Sequence, residues 1–164
     1  MKELRNLYSQ ITYIVFLSTI VSIVFNQLRS NPLAYVKQKV EVISNLENLQ
    51  TESSEPTITG IDIKIAKELF DKNVLFIDAR AEEFYNDGHI PNAICSDDFD
   101  SLVEQLEKKI EIDEQFVVYC SDSDCGSSED LSYEFQSIGF SNILLFKGGW
   151  QEWVDADYPQ VQNE

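Results

Sequence analysis

Residues 57–160 predict an α/β domain on a mainly parallel sheet, and residues 6–28 predict a single transmembrane helix ahead of it. Three observations carry this. Continuous apolar runs of strand length occur at 74–77, 116–119 and 143–146, as expected of strands covered on both faces. Between them lie stretches with apolar residues at helical spacing. The charge is split. Residues 1–39 carry five basic side chains against Glu3, whereas the remainder carries seven basic and 28 acidic ones.

In chain order, the first element is uncharged between Arg5 and Arg29. A hydrocarbon core of ~30 Å needs about 20 such residues in a helix. Ser18, Thr19 and Ser22 are tolerated there because their hydroxyls bond back to the helix backbone. Tyr8 and Tyr13 sit toward one end, where interfacial aromatics belong. A cleaved signal peptide and a buried helix are the competing readings. The run is long for the first, no small-x-small site follows it, and β-branched residues all round would need burial on every side. Lys2 and Arg5 on one flank balance Arg29, Lys37 and Lys39 on the other, so charge does not assign the membrane face.

Residues 29–56 read as a connector. Pro32 blocks continuation of the helix, residues 40–44 have the composition of a short strand, and residues 51–56 are polar linker. Within the domain, Ile61, Ile65, Ala66, Leu69 and Phe70 predict a helix over 61–70. Phe99, Leu102, Val103 and Leu106 predict a second. Leu131, Phe135 and Ile138 predict a third, ended by Gly139. Gly148-Gly149 breaks the chain, and Trp150 and Trp153 start a last helix packed on the sheet. Cys95, after Ala93-Ile94, is expected as a core residue at a strand.

Composition removes several classes. The net charge is −17 and the pI about 4.2, which repels a phosphate backbone and excludes nucleic acid as partner. Three cysteines cannot staple a disulfide-dense miniprotein. Three cysteines and one histidine, without paired ligand spacing, make no zinc site, and no cofactor is implied.

Ligands of parallel sheets bind beyond the carboxyl ends of the strands. There the chain reads Cys120-Ser121-Asp122-Ser123-Asp124-Cys125-Gly126-Ser127-Ser128, leaving a buried strand and entering a helix. A cysteine facing a helix N-terminus is placed for a lowered pKa, and a loop curling round its sulfur would aim N–H groups at an anion. Ser127 or Ser128 would cap the helix. Cys120 and Cys125 stand in Cys-x4-Cys spacing, within disulfide reach if the loop curls.

Three motifs in order resemble the rhodanese-like (sulfurtransferase) domain. The first is Asp78-Ala79-Arg80, then Glu83-Phe84-Tyr85 and Gly88-His89-Ile90-Pro91-Asn92-Ala93. The second is Val117-Val118-Tyr119-Cys120, and the third is Gly148-Gly149-Trp150-Gln151-Glu152-Trp153. The resemblance implies a five-stranded, mainly parallel sheet flanked by helices, with Cys120 as the nucleophile that carries sulfane sulfur as a persulfide. It implies a supporting ion pair, Asp78–Arg80, and a structural turn role for His89. Gly148 and Gly149 allow close approach of backbone to the loop.

The loop departs from the family in two respects. It carries Asp122 and Asp124 where an arginine or lysine commonly binds the anionic donor, and no Lys or Arg occurs between Lys109 and Lys147. Thiosulfate would meet repulsion, so a polysulfide or protein persulfide fits better as donor, with a thiol as acceptor. The missing cation also argues against phosphatase chemistry of the Cys-x5-Arg kind. The loop is also longer than the family's compact form, and Cys125, in the extension, could resolve a Cys120 persulfide. Two alternatives stay open: a thiol–disulfide protein using Cys120 and Cys125 with a membrane redox or sulfur-relay partner, and a catalytically silent binding module.

Overall fold

The computed structural model describes residues 2–28, 42–43 and 57–162. It divides into two compact units, Met1–Lys39 and Val40–Glu164. In the first, α1 runs Lys2–Leu28 as one helix. Its segment Tyr8–Leu28 is long and apolar enough to span a membrane by length and composition, with mean hydropathy 1.8. The hydroxyl of Thr12 donates to the Tyr8 carbonyl, and those of Ser18 and Thr19 donate to that of Val15. These polar side chains are thus satisfied within the helix. The expected break at Pro32 and the polar linker 51–56 lie outside the described residues.

The second unit is a parallel sheet between helices. Its elements are β1 (Val42–Ile43), β2 (Thr57–Ile61), α2 (Ile63–Asp71), β3 (Leu75–Asp78), α3 (Glu82–Asp87) and α4 (Phe99–Glu107). They continue as β4 (Phe116–Tyr119), α5 (Ser127–Ser137), β5 (Asn142–Phe146) and α6 (Gly149–Asp155). The strand order is β1-β2-β5-β4-β3, and every pairing is parallel.

Two expectations need correction. Within residues 57–160 the sheet has four strands, not five; the fifth place is filled by two residues of the connector, with Val42 opposite Gly60 and Ile43 opposite Ile61. The chain around Ile94, where a strand was expected, makes only an isolated bridge to Ile77. Secondly, Ile61 ends a strand rather than starting a helix. Asp62 caps α2 instead, its carboxylate accepting from the backbone N–H of Lys64 and Ile65.

Side-chain alternation sorts the core into two layers. Phe76, Val117, Tyr119, Leu144 and Phe146 meet α2 and Trp153 of α6 on one face. Ile77, Phe116, Val118 and Ile143 meet α4 and Phe135 of α5 on the other. Gly139, at φ 111°, follows α5 as its spacing predicts. Ile138 caps that helix and is exposed rather than core. Both layers leave the loops after β3, β4 and β5 at one end of the sheet.

Candidate active site

Cys120 follows directly on β4 and is 3% exposed. It is joined by a disulfide to Cys125, with Cα atoms 6.2 Å apart. Ser121 and Cys125 are half-buried, whereas Asp122, Ser123, Asp124, Gly126 and Ser127 are exposed. The turn between the cysteines is organised by Asp122. Its carboxylate accepts from the N–H of Asp124 at 2.9 Å, and its carbonyl from the N–H of Cys125 at 3.3 Å. Two of the N–H groups expected to cradle an anion are therefore engaged within the loop. Nor does Ser127 or Ser128 cap α5. Gly126 occupies the N-cap without a side-chain bond, and Ser128 is buried in the first turn.

The other side of the loop is bound to α6. The N–H of Trp150 donates to the Cys120 carbonyl and that of Gln151 to the Ser121 carbonyl, both at 2.8 Å. This close approach requires Gly149. Its φ is +63°, and a Cβ there would lie 2.5 Å from the Cys120 oxygen. Gly148 is the N-cap of α6, and the Glu152 side chain folds against it. Of the two tryptophans, only Trp153 is core; Trp150 is half-buried. Trp150, Arg80 and Ser121 line a cleft of about 370 Å³ beside the loop.

Asp78 and Arg80 form the expected ion pair at the end of β3, at 2.6 Å, with side chains 0% and 6% exposed. Arg80 also donates to the Gly88 carbonyl, and its guanidinium centre lies 5.0 Å from the Trp150 ring centroid. The pair thus connects β3, the Gly88 turn and α6. Burial opposes the Arg80 charge, but hydrogen bonding and attraction from Asp78 outweigh it and hold its pKa above the usual value. Burial, followed by the Asp78 charge, pushes the Tyr119 hydroxyl pKa well up.

His89 is a turn residue here. Its ring stacks on Tyr85, its Nδ1 donates to the Tyr85 carbonyl, and its backbone pairs with Val161. Cys95 departs from its core assignment. It is half-buried, with its thiol 3.2 Å from the Arg80 carbonyl, and burial together with Asp78 pushes its pKa up to about 12. One pair escaped sequence reasoning: Lys147, after β5, binds Glu129 in the first turn of α5. Their separation of 18 positions follows no local periodicity; only their places at a strand end and a helix start hinted at the pair.

A family model described as the rhodanese-like domain matches residues 62–156. A protein of Buchnera aphidicola subsp. Baizongia pistaciae is 31% identical over 97 residues, covering 56% of this chain and 63% of that protein. The chain thus matches less than two thirds of that relative's length. Among solved structures, a rhodanese-related protein from Thermoplasma volcanium superposes at TM-score 0.50, with 23% identity, over 63% of this chain and 98% of its own. A thiosulfate sulfurtransferase from Pseudomonas aeruginosa gives TM-score 0.54 at 17% identity, over 72% of this chain and 22% of its own. At these identities the structural likeness concerns the fold.

Proposed function

This chain belongs to the rhodanese-like family, and from that premise we propose that it is a membrane-anchored sulfur carrier working through Cys120 and Cys125. The observation that carries the reading is the placement of Cys120. It lies at the carboxyl end of a central parallel strand, its carbonyl bound by the first turn of α6 and its sulfur bonded to a second cysteine just before α5.

In the dithiol form, the Cys120 thiolate attacks the outer sulfur of a polysulfide or protein persulfide. The donor's S–S bond breaks, its thiolate leaves, and Cys120 becomes a persulfide. The outer sulfur then passes to an acceptor thiol. Alternatively, the Cys125 thiolate attacks Cys120 Sγ, hydrosulfide leaves, and the observed disulfide forms. Asp122 and Asp124 disfavour thiosulfate, whose double charge they repel. Asp78 and Arg80 serve as positioning residues that hold the Gly88 turn and α6 against the loop. The helix Tyr8–Leu28 anchors the chain, and residues 29–56 connect it to the domain 57–160.

A thiol–disulfide exchange role for the same pair is the second reading, favoured by the disulfide itself. Intact mass of the full chain in detergent separates the two. After reduction and exposure to polysulfide, the sulfur-carrier reading expects a gain of one sulfur, lost in Cys120→Ser and kept in Cys125→Ser. No gain even in Cys125→Ser, with reversible loss of two hydrogens in the parent, supports the exchange role.

A further inference from the structure

We propose that Cys125, rather than the nucleophile Cys120, is the sulfur that an incoming thiol attacks when the pair is oxidised. The inference rests on the reading of Cys120 and Cys125 as one working pair. The structure makes the two ends of the disulfide unequal. Cys120 is 3% exposed. Behind it lies the sheet, and its carbonyl is held by the Trp150 N–H across the contact that Gly149 permits. Cys125 is half-buried, directly follows the exposed tip Asp122–Ser123–Asp124, and precedes exposed Gly126. Displacement at a disulfide sulfur proceeds in line, with the nucleophile opposite the leaving sulfur. While the disulfide is closed, a thiol reaching Cys120 has to enter the buried side of the loop. Reaching Cys125 requires only approach over a polar turn.

The electron count closes. A thiolate R–S⁻ bonds to Cys125 Sγ, the Cys120–Cys125 bond breaks, and its electron pair leaves on Cys120 as thiolate. The product is the mixed disulfide R–S–S–Cys125. A second R–S⁻ attacks the R sulfur, forming R–S–S–R and releasing the Cys125 thiolate. Two thiols are oxidised and the protein disulfide is reduced, restoring the dithiol that accepts sulfane sulfur. Cys125 is thereby the entry point for reductant and Cys120 the entry point for sulfur. Asp122 and Asp124, in the exposed turn that precedes Cys125, favour a thiol that carries positive charge.

The test uses the full chain in detergent micelles, oxidised with diamide, with cysteamine as the probe thiol. Brief exposure is quenched with acid and N-ethylmaleimide, and the adducts are located by fragmentation mass spectrometry. Cysteamine on Cys125 with maleimide on Cys120, in at least about tenfold excess over the reverse, is expected. Cysteamine on Cys120 would overturn the inference. Attack at Cys125 in a protein that takes up no polysulfide sulfur would overturn the sulfur-carrier reading and leave this inference standing. Failure of diamide to remove two hydrogens would overturn both.

Discussion

Replacing Gly149 with alanine attacks the junction between the cysteine loop and α6. A Cβ at this position would lie 2.5 Å from the Cys120 carbonyl oxygen and 3.0 Å from both Asp122 N and Ser121 C. These are backbone atoms, so no flexible side-chain end can move aside. The φ of +63° adds ~1–2 kcal/mol for any residue with a Cβ. Pushing the strands of backbone apart also loses the hydrogen bonds from Trp150 and Gln151, each worth ~1 kcal/mol. Together Gly149→Ala should destabilise the domain by about 2–4 kcal/mol, a large part of a typical ~5–15 kcal/mol. Urea unfolding of the full chain in detergent, followed by tryptophan fluorescence, measures this, because Trp150 and Trp153 both lie in α6. Gly126→Ala is the control: its φ is −81°, nothing lies within 4 Å of the added carbon, and the change should stay within ~1 kcal/mol. A Gly149→Ala protein as stable as the parent, or a Gly126→Ala protein equally damaged, would refute the close-approach argument.

Three further outcomes follow from the same geometry. Arg80→Met leaves the fully buried Asp78 carboxylate without its ion pair and should cost about 3–5 kcal/mol in denaturant unfolding, with Arg80→Lys recovering part of it. Cys95 should resist alkylation at pH 9, because its folded pKa is raised from the ordinary 9.0 to about 12. A raised pKa means that the unfolded thiol ionises first. Stability from this group is therefore full below pH 9 and falls between 9 and about 12, a loss that Cys95→Ala should abolish. Finally, a carboxylate ~7 Å from an approaching monoanion in water repels it by ~0.6 kcal/mol, so Asp122→Asn with Asp124→Asn should speed polysulfide loading about fivefold to tenfold at low salt. Added salt should erase the difference.

The parts of the fold that were legible in the sequence are those whose signal is local. Residues 75–78, 116–119 and 142–146 are near-continuous apolar runs because helices cover both faces of the sheet. Gly139 and the Cys120 loop were legible for similar reasons: a helix stop needs positive φ, and a polar run after a buried strand must leave the core. Thr57–Ile61 was not, because Thr57, Thr59 and Gly60 interrupt its apolar pattern; its register against Asn142–Phe146 holds it in the sheet. Val42–Ile43, by contrast, falls within the short strand expected over residues 40–44, and its pairing with Gly60 and Ile61 places it at the edge of the sheet.

At the site, the Cys-x4-Cys spacing admitted a disulfide without requiring one. Closure depends on the Asp122 turn and on the path that Gly149 leaves open, and neither is visible in spacing alone. The N–H cradle and the serine cap were expected from loop composition. Asp122 took the first, and the α-helical backbone of Gly126 at the N-cap displaced the second. The Lys147–Glu129 pair joins a strand end to a helix start, a long-range contact set by the fold.

The most direct test of Cys120 as carrier and Cys125 as resolver is a sulfide-release measurement. The reduced full chain is loaded with polysulfide, freed of excess, and followed for hydrosulfide and intact mass together. One hydrosulfide per chain, released as the added sulfur disappears and the two cysteines lose two hydrogens, is the predicted result, with Cys125→Ser retaining its sulfur. Equal sulfur loss from the parent and Cys125→Ser, or loading undiminished in Cys120→Ser, would contradict it.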